Sequence, residues 1–193
     1  MAPKKKFAKE TITEAAFEIA KTEGLEGITI RKVAEKLGSS IAPIYVNFKD
    51  VDELIREVVK WIFRLTEEML IEVSSGRPFY DIGVASLKFA KEYKVLFRDL
   101  IMRNNEYLKD YDDHTGQFLI NEMKKDPMLD GFNDKELKEI LFKMRVYQTG
   151  LSVMVANGLL PVEYSEEKLI KSLESTARDV ITSMRYFKVK GSE

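Results

Sequence analysis

A chain of 193 residues, 45% hydrophobic and 33% charged, has the apolar content for a folded core and the polar content of a globular surface, which excludes a disordered polymer. Cysteine is absent and histidine occurs once, at His114, which excludes disulfides, thiolate metal sites, thiol catalysis and most histidine-rich metal centres. The formal charge is −1, but residues 1–50 hold nine Lys/Arg against seven Asp/Glu, a net of +2 that leaves −3 on residues 51–193.

Lys4, Lys5 and Lys6 form a basic arm with no apolar segment behind it, so the pattern is not that of a secretory signal. Ile12, Ala15, Ala16, Ile19 and Ala20 then mark one face of a helix that runs to Gly24. Thr29 is placed to cap a second helix, whose apolar stripe is Ile30, Val33, Ala34 and Leu37. Gly38 follows at once, where a helix end favours a left-handed residue. Ser40 is the expected N-cap of a short third helix with Pro43 in its first turn and with Ile44 and Phe48 pointing inward. Asp50 and Glu53 then form a capping-box-like start for a fourth helix. Two short helices joined by a Gly-containing turn are the unit that sets a helix into the major groove of DNA.

With Ala15-Ala16, Gly24, Thr29, Val33-Ala34, Gly38, Ser40, Ile44-Tyr45, Phe48 and Leu54 in this order, the first 55 or so residues resemble the N-terminal domain of the tetracycline-repressor (TetR) family. Three positions depart from the family pattern. Ser39 stands where a hydrophobic residue, often Val, usually follows the turn glycine. Asn47 stands where His is common, and it retains an amide able to donate to a phosphate. Val51 stands where a Lys commonly reaches the DNA backbone, and Lys49 is the neighbouring candidate to supply that charge.

Beyond Val51 the pattern remains helical. The fourth helix continues through Leu54, Ile55, Val58, Val59, Ile62, Leu65 and Met69 and stops near Ser74-Ser75-Gly76. Further helices are expected over about 79–93, 95–108, 115–125, 134–159 and 165–187, with breaks at Asp126-Pro127, Asp130-Gly131 and Gly158 through Pro161. The longest apolar run, Leu151 to Val162, is interrupted by Asn157 and too short to span a bilayer, so no membrane partner is expected. The fold class is all-α: a three-helix helix-turn-helix head over residues 1–52 and a helical domain over 53–193.

The resemblance implies a regulator of transcription in the cytoplasm, most often a repressor, bound to a double-stranded, pseudo-palindromic operator as a homodimer. It implies that the last two helices pack in a four-helix bundle with their mates, while part of each helix's apolar stripe packs against the body of its own chain. Their stripes are Leu137, Ile140, Leu141, Met144, Leu151 and Val155 on one and Leu169, Leu173, Ala177, Val180, Met184 and Phe187 on the other. Gly150, Ser152, Ser172 and Ser175 would permit close approach there. It also implies an effector cavity beside the fourth helix. Candidate lining residues are Trp61, Phe89, Tyr93, Phe97, Met102, Tyr107, Phe118, Met144 and Tyr147, which would suit an apolar or amphipathic small molecule. An ordinary core accounts for such residues equally well. The acidic stretch of Glu106, Asp110, Asp112 and Asp113 is either a wall for a cationic aromatic guest or a solvated loop.

For DNA, the candidate residues are Thr29, Arg31, Ser39, Ser40, Ile41, Ala42, Pro43, Tyr45, Asn47 and Lys49. Arg31 is the candidate for a guanine contact. Tyr45, Asn47 and Lys49 suit phosphates, and Ile41 and Ala42 suit thymine methyls. The basic arm is either a backbone or minor-groove contact or a solvated terminus. Two rivals compete with this reading. An enzyme would have to rest on Asp112-Asp113-His114, three adjacent residues that do not face one point, and no phosphate loop or nucleophile elbow occurs. A protein-interaction module that kept the head and lost specific DNA binding would explain Ser39 and Val51. No cofactor or metal is expected.

Overall fold

The computed structural model describes residues 7–102, 106–108 and 112–190. Among them the secondary structure is helical throughout, with no strand: α1 (Lys9–Glu23), α2 (Ile30–Lys36), α3 (Ala42–Asn47), α4 (Val51–Glu72), α5 (Pro78–Glu92), α6 (Lys94–Ile101), α7 (Asp112–Met123), α8 (Asp134–Ala156) and α9 (Glu166–Lys190). Single 3₁₀ turns cover Leu25–Gly27, Glu106–Leu108 and Pro127–Leu129. No described helix is long and apolar enough to cross a membrane. Lys4 to Lys6, Asp110 and Tyr111 lie outside the described residues, as do the side chains of Asp112, Asp113 and His114.

The helices form two compact units, neither contiguous in sequence. One comprises residues 1–67 and 93–110, the other 68–92 and 111–193. The 22-residue helix α4 runs from the first into the second.

In the first unit the expected stripes are buried: Ile12, Ala16 and Ala20 of α1, Val33 and Ala34 of α2, Ile44 of α3, Phe48, and Leu54, Val58 and Val59 of α4. Helix α6 packs on α1. At that contact Asp99, buried, accepts a hydrogen bond from the backbone N–H of Leu25 at 3.0 Å, 74 residues away in sequence. Gly24 makes the approach possible. Its φ is +85°, and a Cβ on it would stand 2.1 Å from Asp99 Oδ2. Helix α6 is shorter than the expected 95–108 and ends at Ile101.

The second unit buries Phe79 and Ile82 of α5, Ile120 and Met123 of α7, Leu137, Ile140, Met144 and Leu151 of α8, and Leu169, Leu173 and Ile181 of α9. Two buried carboxylates organise its turns. Asp81 accepts from Ser75 N and Oγ at 2.9 and 2.7 Å, and Asp126 accepts from Phe79 N and Met128 N, both at 3.0 Å. Asn133 and Glu136 form a reciprocal capping box on α8. Phe187, expected on the packed stripe of α9, is 65% exposed. The helical period carries the stripe from Ile181 through Met184 to Lys188 instead. There Lys188 stacks over Phe132 at 5.5 Å and donates to Gly131 O and Glu136.

Gly24→Ala is expected to destabilise the chain by about 2 kcal/mol or more, combining left-handed backbone strain with the clash against Asp99. Asp99→Ala is expected to lose about 1–3 kcal/mol, because the Leu25 N–H is left buried without that acceptor. Urea unfolding followed by circular dichroism measures both, and unchanged midpoints would mean that the α6 contact contributes nothing.

Candidate nucleic-acid interface

Helices α2 and α3 and the turn between them present the candidate residues. Thr29 caps α2 as expected, its Oγ1 accepting from Lys32 N at 3.2 Å. The hydroxyl keeps its own hydrogen to donate outward. At the other end Gly38 N bonds to Glu35 O at 3.0 Å and Ser39 N to Ala34 O at 2.9 Å, with Gly38 at φ +60°. This pair of bonds is a Schellman motif. Such motifs commonly add an apolar contact from the residue after the glycine back onto the last helical turn. Ser39 cannot supply it, which gives a physical meaning to this departure from the family pattern. Its hydroxyl donates instead to Ser40 O at 2.9 Å.

Helix α3 begins one residue later than a Ser40 cap implies. Ile41 occupies the N-cap position with helical dihedrals, and no side chain caps the helix. The donor that a Ser40 cap would use three residues on is missing, because Pro43 has no N–H. Asn47 donates through Nδ2 to Pro43 O at 2.9 Å and to Phe7 O at 3.3 Å. Both amide hydrogens are thereby engaged within the head, not directed outward to a phosphate as expected. Ile44 and Phe48 hold α3 to the interior, while Ile41, Tyr45 and Val46 are 49%, 53% and 82% exposed. Ala42 is exposed beside them and Pro43 is half-buried.

Around this face Arg31, Lys36 and Lys49 are exposed. Lys32 is paired with Glu23. Asp50 Oδ1 accepts from Glu53 N at 2.8 Å, and Glu53 returns to Lys49 N at 2.8 Å, one residue before the expected capping-box partner. Lys9 adds long contacts to Glu53 and Glu57, at 3.7 and 3.8 Å, and lies over the Phe48 ring. With Asp52 and Glu53 in its first turn, the start of α4 carries its own negative charge where the family has Lys and this chain has Val51.

Of the effector-lining candidates, Trp61, Tyr93, Phe97, Met102 and Tyr107 fall in the first unit and Phe89, Phe118, Met144 and Tyr147 in the second. Trp61 stacks on Phe17 at 6.2 Å and Tyr93 is tilted against the same ring at 6.3 Å. Phe97, Phe89 and Met144 are buried, Phe118 is half-buried and Met102 is exposed. Tyr147 shares a 2.8 Å hydrogen bond with Ser172. Tyr107 donates to Asp52 at 2.9 Å, and burial together with this bond pushes its phenol up to about 12. A recess of about 30 Å³ in the second unit, room for a water or two, is lined by Arg77, Tyr80, Glu174 and Arg178 among others and includes none of these candidates.

An exposed helix of a helix-turn-helix, flanked by cations and held by a rigid three-helix base, defines a DNA-binding regulator. Residues 12–58 match the family described as bacterial regulatory proteins, tetR family. In fold the chain is similar to a transcriptional regulator from Rhodococcus sp. Rha1, with a TM-score of 0.69 and 19% identity over 92% of this chain and 97% of that one. It is also similar to a TetR-like transcriptional regulator from Rhodococcus sp. RHA1, with a TM-score of 0.59 and 15% identity over 88% and 92%. No curated protein matches the chain in sequence.

Ser39→Val is expected to stabilise the head by about 0.5–1.5 kcal/mol through the missing apolar contact at the turn. Differential scanning calorimetry reads this as a higher midpoint, and a lower one would show that Ser39 is required where it stands.

Proposed function

We propose that the chain is a ligand-responsive repressor that acts as a homodimer on a pseudo-palindromic operator and is released by a small apolar or amphipathic effector. The exposed, cation-flanked face of α3 carries the DNA-binding part of this reading. Arg31, at the start of α2, is the guanine reader. Thr29, Ser40, Tyr45 and Lys49 position the backbone, and Pro43 and Asn47 hold the shape of the helix. The head, residues 1–52, reads DNA, and residues 53–193 serve dimerisation and effector binding.

Support for the dimer comes from α8 and α9, which expose Phe142, Val146, Tyr186, Phe187 and Val189, with Phe142 67% exposed. Gly150 lies on the same α8 face as Phe142 and Val146, with open space around its Cβ position. Large exposed apolar surface of this kind favours a partner helix pair, and two heads at fixed spacing are what a two-fold operator needs. The effector reading rests on the resemblance and on the aromatic residues beside α4. A ligand with unequal affinity for two spacings of the heads would weaken DNA binding by about 1–3 kcal/mol of coupling. The protein acts in the cytoplasm, requires no cofactor or metal, and catalyses no reaction.

Binding of the purified protein to a labelled duplex from upstream of its own gene tests this directly. A preference over scrambled DNA that weakens with salt is expected, at a stoichiometry of two chains per site. Arg31→Ala is expected to relax discrimination at one base pair per half-site by about 1–3 kcal/mol. Equal loss on every sequence would make Arg31 a backbone contact. Absence of any preference, restored by Ser39→Val with Val51→Lys, would establish a head that has lost its operator. Effectors can be screened by release of the duplex, with the single tryptophan, Trp61, as a fluorescence reporter of binding.

A further inference from the structure

We infer that α3 reads its operator mainly through thymine 5-methyl groups, with Ile41, Ala42 and Val46 as the specificity-determining side chains; this rests on the DNA-binding reading above. The apolar residues are not scattered. Ile41 at the N-cap and Ala42 and Val46 of the six-residue helix share its outer face with the Tyr45 ring, and Val46 and Ile41 are 82% and 49% exposed. The polar groups nearby are largely committed elsewhere. Ser39 Oγ donates to Ser40 O, and both Asn47 amide hydrogens bond backbone carbonyls. No acid or amide on the outer face of α3 can pair with adenine or cytosine. The major groove offers one apolar group for such a face to recognise, the thymine methyl. Arg31, Lys36 and Lys49 around the face match a polyanion better than an apolar protein surface. The operator should therefore carry thymines, on either strand, at the positions that α3 faces, with Arg31 reading outside them.

The full chain is used to recover bound duplexes from a randomised pool, and thymines of the recovered site are then replaced by deoxyuridine one at a time. Deoxyuridine keeps the O4 acceptor and the base pair and removes only the methyl. Each contacted thymine is expected to lose about four-fold in affinity on replacement, the value of one buried methyl group. Val46→Ala and Ile41→Ala, with circular dichroism and salt dependence unchanged, should bind more weakly and lose the penalty at their own thymines, a coupling seen in a double-mutant cycle. Equal binding of thymine and uracil duplexes, with preference over scrambled DNA retained, overturns the inference and leaves the regulator standing. A uracil penalty that persists in full in both variants also overturns it, because the methyl then acts through DNA shape. Failure to enrich any sequence sinks the DNA-binding reading, and this inference with it.

Discussion

The buried carboxylate of Asp99 on the amide of Leu25 is the contact on which the first unit depends. A hydrogen bond from a backbone N–H to an ionised acceptor is among the stronger ones available inside a protein, and leaving the N–H without it is costly. The bond ties α6 to the link between α1 and α2, so a segment more than seventy residues downstream becomes part of the base that holds α2 and α3. Gly24 is needed twice over, for its backbone angle and for its missing side chain. Asp81 and Asp126 repeat the device in the second unit, each bracing a turn with both oxygens. The three acids that burial would make candidates for chemistry are structural acceptors.

The helix-turn-helix was legible because its determinants are local. A threonine cap, a 3.6-residue stripe, a glycine in the left-handed region and an acidic capping pair are all encoded within a few residues of where they act. The failures were local too. A serine before the third helix looks like a cap until Pro43 is seen to remove the donor it would use. Helix α6 was expected to run to 108 on its apolar period, but it ends at Ile101. On α9 the buried side of the stripe drifts round the helix toward Lys188, whose stem packs on an aromatic ring while its charge reaches a carbonyl, and Phe187 stays on the exposed side.

Long-range features were not legible. No pattern in residues 93–110 announces that they fold with the head, since the decisive group is one aspartate in an ordinary amphipathic helix. Compact units and functional segments are thus different divisions of this chain, and α4 belongs to both units. Among the interface candidates, residue type alone placed Asn47 on the DNA, whereas the distances turn its amide inward. Val46 was legible as an exposed residue of the third helix, and at 82% it is more exposed than Ile41 or Tyr45.

The bond from Asn47 to the Phe7 carbonyl has a practical bearing. It fixes Phe7, just ahead of α1, against α3, so a substitution at Asn47 would loosen two helices at once.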